Sequence, residues 1–480
     1  MNIFRCRTAV LAGCIGAGFT VFSGPAFAGP ALAQPCSPDE VTKLLASDGA
    51  TADSFGNSVS VSGDVAVIGA RYDGDNGDFS GSAYVYRFDG TNWVEESKLL
   101  ASDGAEFDGF GWSVSVSGEV AVIGAYWNDD NGSNSGSAYV YRYDGTNWVE
   151  ESKLLASDGA RDDYFGHSVS VSGNVAVIGA YGDDDNDNGG ASGSAYVYRY
   201  DGTNWVEESK LLASDAAAGD SFGRSVSVSG EVAVIGAYGN DDNGTSSGSA
   251  YVYRFDGTNW VEESKLLASD AATNDYFGWS VSVSGEIAVI GAPGDDDNGA
   301  WSGSAYVYRF DGTNWVEESK LLASDGTVND EFGRSVSVSG DVAVIGAWRD
   351  GDNGFDSGSA YVYRYDGTNW VEESKLLASD GAAFDYFGVS VSVSGDVAMI
   401  GARGDDDNGG GSGSAYVFEL NCMAPCPADL NGDGVLDFFD VSAFLTAYGN
   451  QDLIADFTGD GAWDFFDISA FLTAFGAGCP

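Results

Sequence analysis

The sequence repeats itself seven times, and this repeat constrains the possible folds more than any other feature. The string Leu-Leu-Ala-Ser-Asp begins at positions 44, 99, 154, 211, 266, 321 and 376, so successive units lie 55 or 57 residues apart. Each unit reads LLASDGAxxDxFGxSVSVSGxVAVIGA, then an acidic loop, then SGSAYVYRxDGTNWVEESK. A period of this length is typical of architectures whose copies are stable only when stacked on their neighbours.

Inside each unit the apolar residues alternate with period two, which predicts β-strands. In the first unit, residues 58–61 alternate Ser and Val strictly, and two turns at 62–64 and 89–92 separate the extended segments. Each unit therefore contains four short antiparallel strands. Such a sheet is the blade of a β-propeller, and blades must stack because a single sheet cannot bury both of its faces.

The count of strands indicates how the ring closes. The Phe-Gly and Ser-Ala-Tyr-Val motifs occur seven times, whereas the full Trp-Val-Glu-Glu-Ser-Lys-Leu strand occurs six times. Residues 41–45 align with residues 96–100 of that missing strand. We therefore predict an all-β, seven-bladed propeller over residues 34–422, with four-stranded antiparallel blades, closed by the N-terminal strand. Closure removes the long exposed sheet edges that promote aggregation.

The motifs Phe-Gly-x-Ser-Val, Val-Ile-Gly-Ala and Ser-Ala-Tyr-Val-Tyr resemble the FG-GAP repeats of integrin-α-type propellers, over about residues 41–420. Integrin-type blades carry an Asp-x-Asp-x-Asp-Gly calcium loop between the first two motifs, and here only Ser-Gly plus one residue connects them. Those calcium sites are not expected. A different acidic loop, such as residues 295–299, follows the Gly-Ala strand. It could bind a hard cation, but we favour a solvated turn whose Asp and Asn side chains bond their own backbone.

The first 33 residues predict export. Arg5 and Arg7 precede an apolar stretch and two small-x-small cleavage sites, as in a secretory signal. The alternative is a lipoprotein signal that ends at Cys14. The mature protein is then secreted, and is either extracellular or associated with the cell surface.

An even number of cysteines in an exported chain predicts disulfides. Alignment of the incomplete last blade with a complete one places Cys36 beside Cys422, in the hairpin turn that this blade lacks. Cys426 and Cys479 bracket the C-terminal residues, where a second disulfide would clasp a small core.

Residues 423–480 contain two matching segments, offset by 27 residues, each an Asp-rich loop followed by a Ser-Ala-Phe-Leu-Thr-Ala helix. Each loop has oxygen ligands at positions 1, 3, 5, 9 and 12, Gly at 6 and a backbone carbonyl at 7, the arrangement of an EF-hand calcium loop. The predicted ligands are Asp429, Asn431, Asp433, Val435, Asp437, Asp440, Asp456, Thr458, Asp460, Ala462, Asp464 and Asp467. The module closely resembles the type I dockerin, which implies a small α-helical, calcium-binding unit that docks onto a cohesin-like partner.

Two departures from the dockerin pattern matter. Thr458 stands where Asp or Asn is usual, which predicts a weaker second site. Loop positions 10 and 11, often a Ser-Thr pair that cohesin contacts, are Phe438-Phe439 and Phe465-Phe466. These phenylalanines form either a symmetric apolar contact surface or the core of the module.

Composition excludes several classes of function. The net charge of −52 opposes binding to nucleic acid or to anionic membranes. A single histidine, His167, excludes a zinc site built from several histidines. No segment after the signal approaches the ~20 apolar residues of a membrane span.

We expect the protein to be a monomer.

Positions that differ between near-identical blades are candidates for ligand recognition, because aromatic residues and arginine on loops favour binding; the alternative is drift on a tolerant surface. The candidates are Trp112, Trp127, Arg224, Trp279, Arg334 and Trp348. His167 occupies one of these variable positions, which argues against a catalytic role. The tripeptide Arg403-Gly404-Asp405 matches a cell-adhesion motif, and we attribute it to chance.

No set of catalytic residues converges in the sequence, so we predict a non-enzymatic protein. Its propeller recognises an extracellular protein or glycan, and its C-terminal module docks it to a surface or a multiprotein assembly. One alternative is a glycoside hydrolase of a polysaccharide-degrading system, which would need two carboxylates. Another is a purely structural surface-layer component.

Overall fold

The computed structural model describes residues 38–184, 189–420, 428–431, 436–459 and 461–477. The predicted export signal and both predicted disulfides, which involve Cys36, Cys422, Cys426 and Cys479, lie outside these residues.

The described residues form seven four-stranded antiparallel sheets, which confirms the predicted number of blades. The first strands of neighbouring sheets pack against one another around the axis. These inner strands are β2 Phe55–Ser62, β6 Ser113–Ser117, β10 Ser168–Ser172, β14 Ser225–Ser229, β18 Ser280–Ser284, β22 Ser335–Ser339 and β26 Phe387–Ser394. The second strands are β3 Val65–Ala70, β7 Val120–Ala125, β11 Val175–Ala180, β15 Val232–Ala237, β19 Ile287–Ala292, β23 Val342–Ala347 and β27 Val397–Ala402.

Two further strands complete each blade. The third strands are β4 Ser82–Phe88, β8 Ser137–Tyr143, β12 Ser194–Tyr200, β16 Ser249–Phe255, β20 Ser304–Phe310, β24 Ser359–Tyr365 and β28 Ser414–Glu419. The outer strands are β5 Trp93–Leu99, β9 Trp148–Leu154, β13 Trp205–Leu211, β17 Trp260–Leu266, β21 Trp315–Leu321, β25 Trp370–Leu376 and, for the last blade, β1 Asp39–Leu44.

The N-terminal strand closes the ring as predicted. Strand β1 pairs antiparallel with β28, and Lys43 lies opposite Tyr416. A parallel bridge joins Phe55 of the first blade to Gly413 of the last, and equivalent bridges, such as Gly81 to Phe110, join the other neighbouring blades. The last blade is therefore built from both ends of the propeller sequence.

The hydrophobic core lies between the blades. Each apolar cluster combines valines from one blade with residues from the next, as in the cluster that joins Val67 to Phe110 and Ile123. Phe110 is fully buried, and its ring lies 5.4 Å from that of Tyr139 in an edge-to-face contact. This packing explains why the Phe-Gly motif recurs in every copy.

The inner-strand serines form hydrogen bonds between blades. The Val283 N–H donates to Ser227 Oγ at 3.0 Å, and the Gly285 N–H donates to Ser229 Oγ at 3.1 Å. An inner strand is a sheet edge, whose free N–H groups need partners. The Ser-Val alternation thus places valine in the core and serine on the neighbouring blade.

The described C-terminal residues contain two short helices, α1 Phe438–Asn450 and α2 Phe465–Ala477, and one 3-10 turn, Leu453–Ala455. Asp437 caps α1, since its side chain accepts the Phe439 N–H at 2.7 Å. The rings of Phe444 and Phe471 stack with centroids 4.1 Å apart and join the helices. None of the helices in the described part of the chain has the length and apolar character needed to cross a bilayer.

Candidate functional site

The residues that differ between blades meet at one end of the axial channel. In the second blade, Ser113 pairs with Gly124, so the start of the inner strand lies beside the end of the second strand. Trp112 and Tyr126 are consequently in contact, with ring centroids 4.3 Å apart. In every blade the inner strand pairs with the second strand in this way.

We call the residues that meet there the axial cluster. Its members are aromatic rings and arginines that contact one another in succession from the first blade to the last: Arg71, Trp112, His167, Arg224, Trp279, Arg334, Trp348 and Arg403. Of the six predicted binding residues, Trp112, Arg224, Trp279 and Arg334 lie within this chain of contacts, and Trp348 lies near its end. The structure therefore brings five of the six together in one surface.

Guanidinium groups lie over tryptophan rings on both sides of the axis. Arg71 Cζ lies 4.3 Å from the centroid of the Trp112 ring. Across the channel, Trp279 lies between two cations, with Arg224 Cζ at 4.6 Å and Arg334 Cζ at 4.4 Å. Such cation–π contacts hold the arginines in place without neutralising their charge.

His167 is a buried, neutral member of the cluster. It is 7% exposed, and Arg224 Nη1 lies 2.9 Å from its Nε2. Burial, and secondarily the charge of Arg224, holds the pKa of His167 well below its usual range. Its contact with Tyr181, at 4.7 Å between ring centroids, gives it a packing role.

Glu331 is a site residue that the sequence analysis missed. It is 4% exposed, accepts a hydrogen bond from Trp348 Nε1 at 2.8 Å and forms an ion pair with Arg349 Nη1 at 3.0 Å. It occupies the position before Phe-Gly, where the other blades have Ser, Gly or Tyr, as in Ser54, Gly109 and Tyr276. The signal in the sequence is that Glu331 is the one acidic residue at this position of the repeat.

A hollow of about 440 Å³ opens beside the axial cluster. We call it the Trp279 hollow, and it is lined by Tyr238, Tyr276, Trp279, Pro293, Trp301, Glu331, Arg334, Trp348 and Arg349. Its walls are mostly aromatic faces and guanidinium groups. Such a lining offers flat apolar surfaces and charged hydrogen-bond donors to one ligand.

Trp127 and the tripeptide that begins at Arg403, both singled out in the sequence, do not line the Trp279 hollow. Trp127 contacts Tyr126, with centroids 4.5 Å apart, but it lines a separate, more acidic hollow with Glu106 and Asp129. Arg403 packs on Trp348, and Asp405 is buried and accepts from Lys43 at 2.7 Å. The tripeptide that begins at Arg403 is therefore not presented as an exposed adhesion motif.

The acidic blade loops are built around lysine. Lys320 Nζ lies 2.7 Å from Asp270, 2.8 Å from Asp295 and 2.7 Å from Asp297. Every blade has an equivalent lysine among aspartates: Lys43 with Asp380, Asp405 and Asp407; Lys98 with Asp48, Asp73 and Asp75; Lys153 with Asp103 and Asp130; Lys210 with Asp158 and Asp183; Lys265 with Asp215 and Asp242; Lys375 with Asp325, Asp350 and Asp352.

The interpretation of the acidic loops as solvated turns is therefore only partly correct, because some of their aspartates are buried beside a lysine. Asp296 fits it, because its Oδ1 accepts the Trp301 N–H at 2.8 Å, but Asp295 is only 4% exposed. In the aspartate groups around Lys320 and Lys375, carboxylate oxygens lie within 4.8 Å of one another, close enough to hold a metal ion. In this structure the lysine ammonium supplies the positive charge there.

A model of the "FG-GAP repeat" matches seven segments, residues 38–86, 93–141, 148–198, 205–253, 260–308, 315–363 and 370–418. The chain belongs to the FG-GAP repeat family. No curated protein matches it in sequence. The FG-GAP propeller is similar in structure to Sqt1 of Saccharomyces cerevisiae, with 10% identity, 80% of this chain and 86% of that chain covered, and a TM-score of 0.43. A chain of a mitotic checkpoint complex gives 13% identity, 86% and 99% coverage, and a TM-score of 0.48.

Beyond the FG-GAP propeller, the C-terminal loops are folded around carboxylates. Gly461 has φ of +77°, and its N–H donates to Asp456 Oδ2 at 2.9 Å, so position 6 of the second loop turns back to position 1. Asp440, at position 12 of the first loop, is fully buried and accepts N–H groups from Leu430 and Asp437. The Asp437 N–H is the main cause of the lowered pKa of Asp440.

The donor set of these loops fits a hard cation. The oxygen-bearing side chains in the described part are Asp429, Asn431, Asp437, Asp440, Asp456, Thr458, Asp464 and Asp467. Thr458 Oγ1 donates to Asp467 Oδ1 at 2.9 Å, so positions 3 and 12 lie together in the second loop. The predicted ligands Asp433, Val435 and Asp460 lie outside the described residues. Carboxylate, amide and hydroxyl oxygens are what Ca²⁺ prefers.

The phenylalanine pairs at loop positions 10 and 11 are exposed. Phe438 and Phe439 are 76% and 65% exposed, and Phe465 and Phe466 are 73% and 66% exposed. Of the two interpretations that the sequence left open, the core position is therefore wrong. The helices present two equivalent aromatic surfaces to the outside.

Proposed function

We propose that this chain is an exported, non-enzymatic binding protein whose propeller recognises an extracellular ligand through the axial cluster. One observation carries the proposal: among the positions that vary between otherwise near-identical blades, those after Phe-Gly and Gly-Ala bring aromatic rings and arginines together at one end of the channel. Residues of this kind provide most of the free energy of binding in protein interfaces. A fold that keeps seven scaffolding units constant and varies one surface suits recognition.

Binding accounts for the Trp279 hollow better than glycoside hydrolysis does. Hydrolysis needs two carboxylates on either side of the scissile bond. The described residues that line the hollow include one acid, Glu331, and Arg349 and Trp348 already engage it.

We further propose that the C-terminal residues form a calcium-binding, dockerin-like module that attaches the protein to a cohesin-like partner or to a surface assembly. The oxygen-rich loops would hold the ion, which would fix the loops relative to α1 and α2. The exposed Phe438 and Phe465 would then contact the partner, with a more apolar chemistry than a Ser-Thr pair offers.

The two roles are separable by mutation. The full chain is applied to arrays of extracellular polysaccharides and surface proteins, as wild type, Trp279→Ala and Phe438→Ala. We expect Trp279→Ala to lose the propeller ligand and Phe438→Ala to keep it. Equal binding by all three forms would refute the assignment of the ligand to the axial cluster.

A further inference from the structure

Eleven of the twelve arginines of the propeller divide into two groups with different partners, and the twelfth, Arg161, is exposed and pairs with Asp162. Six outer arginines each pair with a glutamate on the neighbouring strand, as Arg87 does with Glu96 at 3.0 Å. Five others, Arg71, Arg224, Arg334, Arg349 and Arg403, lie at the axial cluster and its hollow. In a chain with a net charge of −52, this end of the channel is a local concentration of positive charge.

Three of the five lack an acidic partner within the described part of the chain. No carboxylate there lies within 4 Å of the guanidinium groups of Arg71, Arg224 or Arg403. Glu331 compensates only Arg334 and Arg349. Within the described residues, the buried Nε of Arg71 and of Arg349 has no hydrogen-bond partner, as is also true of Nη2 of the outer arginines Arg87, Arg142 and Arg309. Buried charged donors without partners are costly, and a bound anion would satisfy them.

The burial of these groups supports the same conclusion. Burial, with a smaller contribution from neighbouring arginines, lowers the pKa of Arg71 and of Arg334 to about 10. Both groups stay positively charged at neutral pH. Partial removal from water strengthens the attraction of such a group for an anion, because the local dielectric constant is lower.

The aromatic lining of the Trp279 hollow indicates what kind of group carries the anionic substituent of the ligand. Trp279 and Tyr276 stand edge-to-face with centroids 6.1 Å apart, and Trp301 is 40% exposed at the rim. The described lining contains no Leu, Ile or Val, the side chains that usually receive the apolar anchors of a peptide. Flat aromatic faces beside guanidinium groups suit a sugar ring that carries an anionic substituent.

We propose that the axial cluster and the Trp279 hollow bind a saccharide that carries carboxylate or sulfate groups. The sugar ring packs against Tyr276 and the exposed ring of Trp301, while Trp279 holds Arg224 and Arg334 in place. The anionic groups accept hydrogen bonds from Arg224, Arg334 and Arg403. This proposal rests on the proposed binding function and narrows its ligand class.

The acidic remainder of the propeller does not prevent such binding. At physiological ionic strength the screening length is about 8 Å, so an anion at the axis interacts mainly with the five arginines around it. The aspartates of the blade loops are also partly neutralised by the seven lysines among them.

Calorimetric titration of the full chain tests the proposal. The probes are an oligogalacturonate, a sulfated galactan oligosaccharide, a neutral cello-oligosaccharide and a polyglutamate peptide. We expect the wild type to bind one or both acidic saccharides, and not the neutral one, with affinity that falls severalfold between about 50 and 500 mM NaCl. The two acidic probes distinguish carboxylate from sulfate.

Arginine variants test the site itself. Arg224→Gln and Arg403→Gln should each weaken binding of the acidic saccharide about tenfold, because each removes a charge-assisted hydrogen bond. Arg161→Gln is the matched control, since Arg161 is exposed, lies outside the cluster and pairs with Asp162. Thermal unfolding shows whether each variant is folded. If a variant is not folded, the salt dependence of saccharide binding by the wild type still tests whether the ligand is held by charge.

The possible failures are distinct. In the first, the neutral saccharide binds as tightly as the acidic ones, and Trp279→Ala loses this binding whereas the arginine variants keep it. That result would overturn the proposal of an anionic ligand but leave the proposed binding function standing. Binding of polyglutamate in place of saccharides overturns the saccharide class. If none of the probes binds, and the arrays show no ligand that Trp279→Ala loses, both proposals are wrong.

Discussion

At the scale of single residues, the lysine within each group of aspartates determines stability. Lys320→Met would leave Asp295, which is 4% exposed, as a buried charge without its cation. Removing one partner of a buried ion pair destabilises a protein by about 3 kcal/mol. We therefore expect a clearly lower midpoint of urea unfolding, measured at constant ionic strength.

The control for Lys320→Met is Arg161→Gln, which breaks an ion pair whose arginine side chain is 75% exposed. An exposed pair contributes at most about 1 kcal/mol, so this variant should unfold close to the wild type. If Lys320→Met unfolds at the same urea concentration as Arg161→Gln, the ammonium does not have the role assigned to it here.

A second residue-scale prediction concerns pH. Burial raises the pKa of the aspartate two residues before Phe-Gly, most clearly that of Asp385, to about 6. The same direction and cause hold for Asp53, Asp108, Asp220, Asp275 and Asp330. Between the ordinary value of 3.8 and about 6, the folded state binds more protons than the unfolded state, so stability rises as pH falls through this window.

We therefore expect the melting temperature of the propeller to rise from pH 7.5 to pH 4.5, and to rise less in Asp385→Asn. The relief of overall negative charge acts in the same direction, so the difference between variants is the specific readout. Asp366→Asn is the control, because backbone N–H donors lower the pKa of that exposed turn residue out of the window. Identical pH slopes in the wild type and Asp385→Asn would contradict the assignment.

Sequence comparison between blades predicted five of the eight members of the axial cluster but not how they contact one another. Trp112, Arg224, Trp279 and Arg334 occupy one position of the repeat, and any closed ring brings that position to the axis. The contacts of Arg71 and Arg403 depend on how far each side chain reaches across blades. The role of Glu331 depends on its burial beside Arg349, which only the folded chain shows.

At the scale of elements, the inner strands can be tested one hydroxyl at a time. Ser282 Oγ accepts the Val338 N–H of the next blade in a partly buried position, and Ser284 Oγ accepts the Gly340 N–H in an exposed one. Ser282→Ala leaves an N–H with little access to water, which costs about 1–2 kcal/mol. In Ser284→Ala, water replaces the hydroxyl, so the loss should be less than half as large. Urea unfolding measures both, and equal effects would argue against a role for interblade hydrogen bonds.

The strands themselves were predictable because their signals are local or repeated. Period-two alternation, turn residues and the missing outer strand gave the blades, their number and the closure by β1. The partners of the inner-strand serines were not predictable, because an alternating serine is equally compatible with a solvated face. The lysine partners of the acidic loops were missed for a similar reason, since Lys320 and Asp270 are 50 residues apart.

At the scale of the whole molecule, the acidic side chains of the propeller and those of the C-terminal residues differ in the positive charges that surround them. The blade aspartates surround lysines, the axial arginines face the channel with few acids, and residues 421–480 contain nine aspartates and no lysine or arginine. In the propeller the counter-ions are therefore side chains of the chain itself. In the C-terminal residues the counter-ion must come from solution, which is the physical reason to expect calcium there.

This difference predicts that calcium removal affects one part of the molecule and not the other. In calorimetry of the full chain, EDTA should abolish or sharply lower a small transition of the C-terminal helices and leave the propeller transition in place. Asp456→Ala, which removes the acceptor of the Gly461 N–H at 2.9 Å, should weaken calcium binding in titrations, whereas Asp452→Asn, outside both loops, should not. If EDTA instead lowers the propeller transition, calcium binds among the blade aspartates, and the lysines are not sufficient as their counter-ions.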